Sequence, residues 1–538
     1  MGGSFKITIQ GSVFCEANQN ETILTALVRA GAALAAPCGG RGVCGKCRVK
    51  LIEGTVRLAE FALAAPFAGH DCSLPEMLVK AGDSFSACKG IALSDITLSL
   101  SSPNAGMSAM LHSRSPSETR IKRAGVGLDI GTTTVHAELV DLDSGESIET
   151  VSALNDQRSY GADVMSRINA VRHGKLGELI AATNRQTEKI LRYFIDKWNL
   201  SGIEKCAVSG NTTMLHFFAG VDPRAMGEAP FTPQFLEEQY FEGKKLSLSA
   251  EQIILLPGIS AFVGSDITAG LAFIDILNKQ ENSLFIDIGT NGEMAVWKKN
   301  EKKLLCCSTA AGPCFEGSEI SCGMSALPGA IDRIGLKSEN IGADFFSFGS
   351  LAYSTIGNIK PCGICGAGLI DAIAAMKRLT AIDETGTLAD EYAQSGFPVA
   401  PGIVITQKDV RQFQLAKSAI FSGIKILCKS MGIIPAADIG TVYIAGGFGL
   451  FLNIKNACAV GLLPPEFADK PEGKVKTVVC GNTSLKGAVK CLNDNVFMQR
   501  CREIVSRSST ADLAHNNNFS EAFASNMWFG LPFPQQRF

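Results

Sequence analysis

Three cysteines near the start of the chain have a spacing suited to iron–sulfur chemistry. Cys38, Cys44 and Cys47 follow the pattern C-x5-C-x2-C, with glycines between them. A [2Fe–2S] cluster needs four thiolates, and glycines let the backbone come close enough for its N–H groups to bond the cluster sulfurs. The pattern predicts three cluster ligands, with the fourth from Cys72 or Cys88. Zinc is the alternative, but it prefers paired short spacings and one C-x2-C lies in this region.

Two later segments share the form strand, Asp-Ile-Gly-Thr, polar turn. They run from Val126 to Thr134 and from Leu284 to Gly292. The glycine permits close approach of a phosphate, and the threonines offer hydroxyl and N–H groups to its oxygens. Asp129 and Asp287, at the strand ends, are suited to hold Mg²⁺ through water. Each turn alone is a weak signal, because β-turns often use these residues, but the pair predicts a clamp for a triphosphate.

A third segment completes the predicted nucleotide site. Thr441 to Gly449 has the pattern of a buried strand that ends in glycines, against which a flat adenine can lie. The expected binding residues are Gly131, Thr132, Thr133, Thr134, Gly289, Thr290, Asn291, Gly292, Gly446, Gly447 and Phe448.

The order of two phosphate turns and an adenosine strand resembles the superfamily of sugar kinases, heat-shock chaperones and actin. Asp266 to Ala272 resembles its first connecting helix, and Gly481 to Ala488 resembles its second. In that superfamily an acidic residue on the first connecting helix usually helps to place Mg²⁺ or the attacking water. The resemblance implies that Asp129, Asp266 and Asp287 are catalytic residues of an ATPase.

The segment from Phe5 to Leu93 resembles [2Fe–2S] ferredoxins. The resemblance includes a helix at Thr22 to Leu27 and a late single cysteine. In that family the last ligand follows a segment like Leu74 to Asp83. The resemblance therefore implies Cys88, rather than Cys72, as the fourth ligand.

A ferredoxin joined to such an ATPase excludes ordinary sugar kinases. Over nearly the whole chain the sequence resembles the reductive activators of corrinoid proteins, in motifs such as Gly210 to Met214, Ala310 to Gly317 and Ile364 to Asp371. The resemblance implies ATP-dependent return of Co(II) to Co(I), with one electron from the [2Fe–2S] cluster, for methyl transfer. It implies the cluster, ATP and Mg²⁺ as cofactors. The implied partners are a corrinoid protein of a methyltransferase system and an external electron donor, a ferredoxin or a flavin reductase, with a homodimer as the candidate assembly.

The elements that position these residues differ between the two parts of the chain. Residues 1–100 alternate short strands with one helix, which predicts an α+β domain that the resemblance identifies as ferredoxin-type. The Ser- and Pro-rich residues 101–122 predict a flexible linker. From residue 123 strands and helices alternate, and the recurring turn indicates two related α/β lobes. We place lobe I at 123–282 and lobe II, with the adenosine motif, at 283–538. The resemblance implies a duplicated actin-like, ribonuclease H-like fold, and family members often carry an extra small domain where this chain has the linker.

Composition narrows the function classes. The 538 residues carry a formal net charge of −2, so we expect no nucleic-acid binding. The apolar runs are too short to span a bilayer, and the N-terminus lacks the apolar core of a signal peptide, which predicts a cytoplasmic protein without membrane contact. Eighteen cysteines without an export signal indicate reduced thiols and a metal cluster rather than disulfides.

The other cysteines and one loop have plainer interpretations. Cys362 and Cys365 have the spacing of a redox pair, but the glycines and apolar residues around them indicate a packed turn and the start of a helix. Cys306 and Cys307 fit the core side of a strand. The small residues from Ser308 to Gly317 predict a pliable loop that is a candidate for partner contact.

Two alternative functions stay open at this point. The protein could activate another low-potential metalloenzyme with ATP, although such activators usually hold a [4Fe–4S] cluster between subunits and lack a fused ferredoxin. It could also be a nucleotide-dependent redox sensor or chaperone, whose cluster reports redox state without delivering electrons.

Overall fold

The computed structural model describes residues 4–9, 12–30, 47–58, 78–100, 108–110, 121–339, 345–447, 452–468, 474–513 and 516–530. Its strands are β1 (Ser4–Ile9), β2 (Ser12–Asn18), β3 (Arg48–Glu53), β4 (Val56–Leu58), β5 (Leu78–Val79), β6 (Ser84–Ser86), β7 (Gly90–Ala92), β8 (Ile96–Leu100), β9 (Ser108–Met110), β10 (Ala124–Ile130), β11 (Thr134–Asp141), β12 (Ser147–Leu154), β13 (Ile203–Gly210), β14 (Gln239–Glu242), β15 (Ala250–Leu255), β16 (Asn282–Ile288), β17 (Gly292–Lys298), β18 (Lys303–Thr309), β19 (Ala330–Leu336), β20 (Phe346–Phe348), β21 (Leu351–Thr355), β22 (Gly363–Ile364), β23 (Phe397–Ala400), β24 (Ile403–Ile405), β25 (Ile439–Ala445), β26 (Lys476–Gly481) and β27 (Ser508–Thr510). Its helices are α1 (Ile23–Arg29), α2 (Val164–Arg172), α3 (Leu176–Trp198), α4 (Thr212–Phe218), α5 (Ser265–Phe273), α6 (Gly366–Arg378), α7 (Gln407–Ser430), α8 (Pro435–Asp438), α9 (Ile454–Ala459), α10 (Thr483–Asn493), α11 (Phe497–Arg507) and α12 (Asn517–Ser525). None of the helices in these ranges combines the length and the apolar character that crossing a membrane requires.

The N-terminal part is a small α+β unit. Its five-stranded sheet has the order β2-β1-β8-β3-β6, and a three-stranded sheet, β5-β4-β7, stands beside it. Helix α1 buries Ile23, Leu24 and Leu27 in the same apolar cluster as the sheet, because this spacing places the three side chains on one face of the helix. Strand β8, which ends at Leu100, lies parallel to β1, with Ile96 opposite Ile7. The last described strand of this unit therefore lies inside the five-stranded sheet.

The remainder contains two sheets with the same internal pattern. In the first, ordered β14-β15-β13-β10-β11-β12-β9, β10 is antiparallel to β11 and parallel to β13. In the second, ordered β26-β25-β16-β17-β18-β27, β16 is antiparallel to β17 and parallel to β25. Both central strands are apolar and almost wholly buried, as covered parallel pairs require. The shared pattern confirms the predicted duplicated fold.

Two helices cross between these sheets. Helix α5 shares an apolar cluster with Phe285 of β16 in the second sheet. Helix α10 packs on the first sheet, since a Cβ added to Gly127 of β10 would lie 2.6 Å from Val489. Where the helices meet, a Cβ added to Gly487 would lie 2.6 Å from the carbonyl oxygen of Ala269. Each helix therefore packs against the sheet of the other lobe, and the chain boundary at 282 and 283 does not separate two independent cores.

Part of the predicted linker is a strand. Strand β9 pairs antiparallel with Thr150–Ser152 of β12, at one edge of the first sheet. These three residues therefore belong to the ATPase sheet, which corrects the prediction of a flexible linker at this point. The exposed edge of β12 offers unpaired backbone groups that explain the pairing. Residues 101–107 and 111–120 lie outside the described ranges.

Candidate ATP site and cluster ligands

The two predicted phosphate turns face each other across the cleft between the lobes. Both turns and the glycines that follow β25 line one cavity: Asp129, Gly131, Thr132, Thr134, Asp266, Asp287, Gly289, Thr290, Asn291, Gly446 and Gly447. The hydroxyl oxygen of Thr133, in the first turn, lies 3.1 Å from that of Thr290 in the second. Gly292 begins β17 opposite Ile288, and Phe448 lies outside the described residues. The fold thus brings together three segments that are far apart in the sequence.

The first phosphate turn is held by two side chains that sequence reasoning did not assign. Asn155 donates from its side-chain amide to the carbonyl oxygen of Gly131 at 2.8 Å, and from its backbone N–H to that of Thr133, also at 2.8 Å. The guanidinium of Arg167 is fully buried and donates to the carbonyl oxygen of Thr132. These contacts fix the backbone of the turn, so its N–H groups and hydroxyls are positioned before a phosphate arrives.

Asp129 is oriented by the start of α10. Its two carboxylate oxygens accept from the side-chain amide of Asn482 and from the hydroxyl of Ser484, each at 2.8 Å. Asn482 also caps α10 by accepting from the N–H of Leu485 at 2.8 Å. The second connecting helix therefore positions a catalytic candidate of the first lobe. Sequence reasoning located this helix but did not predict this contact.

Several carboxyl groups share the cleft, and their charges interact. Burial raises the pKa of Asp266 to about 7, and the charge of Asp129 adds to that rise. Burial raises the pKa of Asp287 well above its usual range, with further contributions from Asp266, Asp129 and Glu316. The pKa of Glu293, a residue that sequence reasoning missed, is also raised well above its usual range. Burial is the main cause, and the charges of Asp266 and Asp287 add to it. A cation at this position would favour the charged forms of all these groups.

The aspartates suit a magnesium site in which water and phosphate oxygens supply most of the ligands. Within the described ranges, no three Asp, Glu, His or Cys side chains are grouped so that they could hold a metal by themselves. Mg²⁺ usually keeps several waters and takes one or two carboxylates together with phosphate oxygens. Asp129, Asp266 and Asp287 line the same cavity as both phosphate turns, which suits that mode of binding.

The segment from Ser308 to Gly317 is packed, which corrects the prediction of a pliable loop. Its first residues end β18, and Pro313–Glu316 form a 3-10 helix. Phe315 is only 1% exposed, and a Cβ added to Gly366 would lie 2.1 Å from its carbonyl oxygen. The carboxylate of Glu316 reaches into the cleft, where it accepts from the hydroxyls of Thr133, at 2.5 Å, and Thr290.

Two of the predicted cluster ligands lie next to each other. Cys47 and Cys88 are 0% and 2% exposed, and the backbone N–H of Ala87 donates to the carbonyl oxygen of Cys47 at 2.7 Å. The pKa of the Cys47 thiol falls to about 6, mainly because of its hydrogen bond with the Cys88 side chain. This proximity is what shared ligation of a cluster by Cys47 and Cys88 requires. Cys38, Cys44 and Cys72 lie outside the described residues.

The other cysteines considered above occupy structural positions. Cys306 and Cys307 are buried in β18, as predicted. Cys365 is buried and precedes the first residue of α6, whereas Cys362 is exposed. The predicted helix start is confirmed, but Gly363–Ile364 between the two cysteines form β22 rather than a packed turn.

The fold and the cleft define a class of protein: a duplicated actin-like ATPase that carries an N-terminal ferredoxin-type domain. Family profiles agree with this division. A profile described as "C-terminal domain of RACo the ASKHA domain" matches residues 281–535, one described as "RACo middle region" matches 124–279, and a "2Fe-2S iron-sulfur cluster binding domain" matches 7–72. The middle region of the family therefore coincides with the first lobe.

Similar proteins narrow the class further. "Corrinoid activation enzyme RamQ" of Eubacterium limosum is 33% identical over 437 residues, covering 76% of this chain and 70% of that protein. "[Co(II) methylated amine-specific corrinoid protein] reductase" of Methanosarcina barkeri is 31% identical over 444 residues, covering 76% and 78%. A solved structure titled "Reductive activator for corrinoid,iron-sulfur protein" superposes with a TM-score of 0.68 at 27% identity and covers 97% of this chain and 98% of its own. The chain belongs to the family of reductive activators of corrinoid proteins.

Proposed function

We propose that this protein uses ATP hydrolysis to return the cobalt of a corrinoid protein from Co(II) to Co(I), with one electron from its own [2Fe–2S] cluster. The main support for the proposal is that one chain combines a ferredoxin-type domain with an ATPase. A ferredoxin-type domain, in which Cys47 and Cys88 meet, precedes a two-lobed ATPase whose paired phosphate turns share a cleft. The two curated relatives are named for the same kind of activation.

The energetics explain why such a reaction needs ATP. Plant-type [2Fe–2S] ferredoxins have potentials of about −400 mV. Each 59 mV by which the reduction potential of the acceptor lies below that of the donor lowers the equilibrium constant of a one-electron transfer about tenfold. A donor of this type is therefore unable to keep a lower-potential cobalt reduced by itself. Closing and opening of the two lobes around the nucleotide can supply the missing work by changing the environment of the bound partner.

The residues of the cleft have defined roles in this proposal. Thr132, Thr133 and Thr290 bind phosphate oxygens, and the glycines after β25 lie against the adenine. Mg²⁺, when bound, neutralises charge on the phosphates and polarises them. Asp129, Asp266 and Asp287 orient it and the attacking water. The carboxylate of Asp129 is already held by its two hydrogen bonds from the start of α10. It therefore has its orientation before the nucleotide binds.

The cluster, when bound, supplies one-electron chemistry. We assign its ligands as Cys38, Cys44, Cys47 and Cys88. The partners of this proposal are a corrinoid protein of a methyltransferase system and an external ferredoxin or flavin reductase that recharges the cluster. We also propose a homodimer as the assembly to be tested.

The test is reduction of a Co(II) corrinoid protein by the full chain under anaerobic conditions. We expect Co(I), followed by its absorbance, to form only when ATP, Mg²⁺ and a reductant of the cluster are all present. Co(I) formation that proceeds equally well without ATP would contradict the proposal. ATP hydrolysis without Co(I), for every corrinoid protein tried, would favour a redox sensor instead.

A further inference from the structure

Glu316 joins the two phosphate turns in a way that neither the family resemblance nor the proposed catalytic residues explain. Its carboxylate accepts from the hydroxyl of Thr133 in the first lobe and from that of Thr290 in the second. These two hydroxyl oxygens are themselves 3.1 Å apart. One carboxylate thus bridges the two hydroxyls that the phosphate turns direct at each other.

We propose that Glu316 is a positioning residue that competes with the terminal phosphate of ATP for the hydroxyls of Thr133 and Thr290, and so sets how strongly the cleft prefers ATP to AMP. This inference rests on the proposed function, because it assumes that the cleft binds ATP. The effect of Glu316 on affinity should therefore depend on the number of phosphates in the nucleotide.

The chemistry of the two groups supports competition. A carboxylate and a phosphate both accept hydrogen bonds and both carry negative charge, so the same two hydroxyls cannot fully serve both. The two negative groups would also repel each other in a partly buried site. AMP has no β- or γ-phosphate and can occupy the adenosine side of the cleft without meeting Glu316.

The surroundings of Glu316 keep it in place. Burial raises the pKa of Glu316, while the hydrogen bonds from the two threonines and the charges of Arg158 and Arg167 oppose that rise. On the backbone side, the ring of Phe315 packs edge-on against that of Phe413 in α7, with the ring centroids 5.8 Å apart. Glu316 is therefore attached to a packed helical turn and cannot leave the hydroxyls as freely as a side chain on a mobile loop.

The experiment compares the binding of ATP and AMP, each with Mg²⁺, by calorimetry on the full chain. Glu316→Gln keeps the size of the side chain and removes its charge. We expect it to tighten ATP binding about tenfold, the effect of losing one charged competitor at a hydrogen-bonding site, and to leave AMP binding within about twofold. Glu319→Gln is the matched control, because Glu319 is an exposed carboxylate three residues further along the chain and its replacement should change neither dissociation constant.

A second background tests whether the hydroxyls carry the effect. We compare the dissociation constants for ATP and AMP in a variant with both Thr133→Val and Thr290→Val. Adding Glu316→Gln to this variant should change their ratio by much less than the tenfold expected in the parent protein. AMP binding by each variant reports that the cleft is intact.

The outcomes separate this inference from the proposed function. A parent protein that binds ATP, with an unchanged or weaker ATP affinity in Glu316→Gln, would overturn the role of Glu316 alone. A loss of hydrolysis with unchanged ATP affinity would also overturn it, because Glu316 would then act on the attacking water. A parent protein that does not bind ATP would overturn the proposed function and this inference with it.

Discussion

Replacing Gly487 with alanine tests whether the close crossing of α5 and α10 holds the catalytic groups in place. The added Cβ would lie 2.6 Å from the carbonyl oxygen of Ala269 and 2.7 Å from its Cβ, whereas ordinary contacts begin at 3.4 Å. The two helices would have to separate by about 0.8 Å, the difference between 3.4 and 2.6 Å. Both atoms of Ala269 are rigidly attached to α5, so no flexible side chain can absorb this shift.

The displacement would reach the cleft through both helices. Asn482 and Ser484 hold Asp129 at the start of α10, and Asp266 lies in the first turn of α5. Separation of the helices therefore moves Asp129 relative to Asp266. Misplacement of reacting groups by about 1 Å can lower a rate about a hundredfold, so we expect kcat for ATP hydrolysis to fall ten- to a hundredfold, on the order of that estimate. Overpacking should also lower the free energy of unfolding by about 1–3 kcal/mol.

The assay is Mg²⁺-dependent ATP hydrolysis by the full chain, together with urea unfolding of the same preparation. Gly177→Ala is the matched control, because Gly177 is a helical glycine in α3 with nothing within 4 Å of an added Cβ. It should keep the parent kcat and gain up to about 1 kcal/mol of stability. Parent values of both kcat and stability for Gly487→Ala would refute the packing argument. A loss of stability with full kcat would refute the link between the crossing and catalysis.

The remaining predictions concern the cluster and the aspartates. Cys88→Ala should abolish the two irons and two labile sulfides expected of a [2Fe–2S] cluster, counted by anaerobic metal and sulfide analysis, together with the electron paramagnetic resonance signal of the reduced cluster. Cys72→Ala should spare both, and the opposite result would make Cys72 the ligand. Asp287→Ala should lower kcat for ATP hydrolysis by about a hundredfold or more, since it removes charge that organises Mg²⁺ and water, and a parent rate would show that the second phosphate turn is wrongly assigned. Asp266→Ala should lower kcat more than it weakens ATP binding, and the reverse pattern would place Asp266 in nucleotide binding rather than in turnover.

The local signals in the sequence located the parts of the site that are continuous in the chain. The apolar strand before Asp129 and the polar turn after it are dictated by neighbouring residues, and the second turn repeats the pattern. The ferredoxin-type helix at Ile23–Arg29 follows from local apolar periodicity, and the connecting helix that begins at Ser265 lies where the superfamily resemblance places it. These elements lie where the sequence predicts them.

Contacts between distant residues could not be predicted in this way. Glu316 is 183 residues from Thr133 along the chain, and its segment of small residues has the composition of a loop. Only tertiary packing turns that segment into a wall of the cleft. The same applies to α10, which the chain order assigns to the second lobe but which packs on Gly127 of the first.

The central claim is that ATP hydrolysis moves one electron from the protein's own cluster to cobalt. The most direct measurement starts from full chain with a reduced cluster, freed of excess reductant and mixed with one equivalent of a Co(II) corrinoid protein. Electron paramagnetic resonance then follows the reduced cluster and Co(II) in the same sample. We predict that adding MgATP removes both signals in equal amounts while Co(I) absorbance appears, and that Asp287→Ala leaves both signals in place. Hydrolysis of ATP with both signals unchanged would contradict the account.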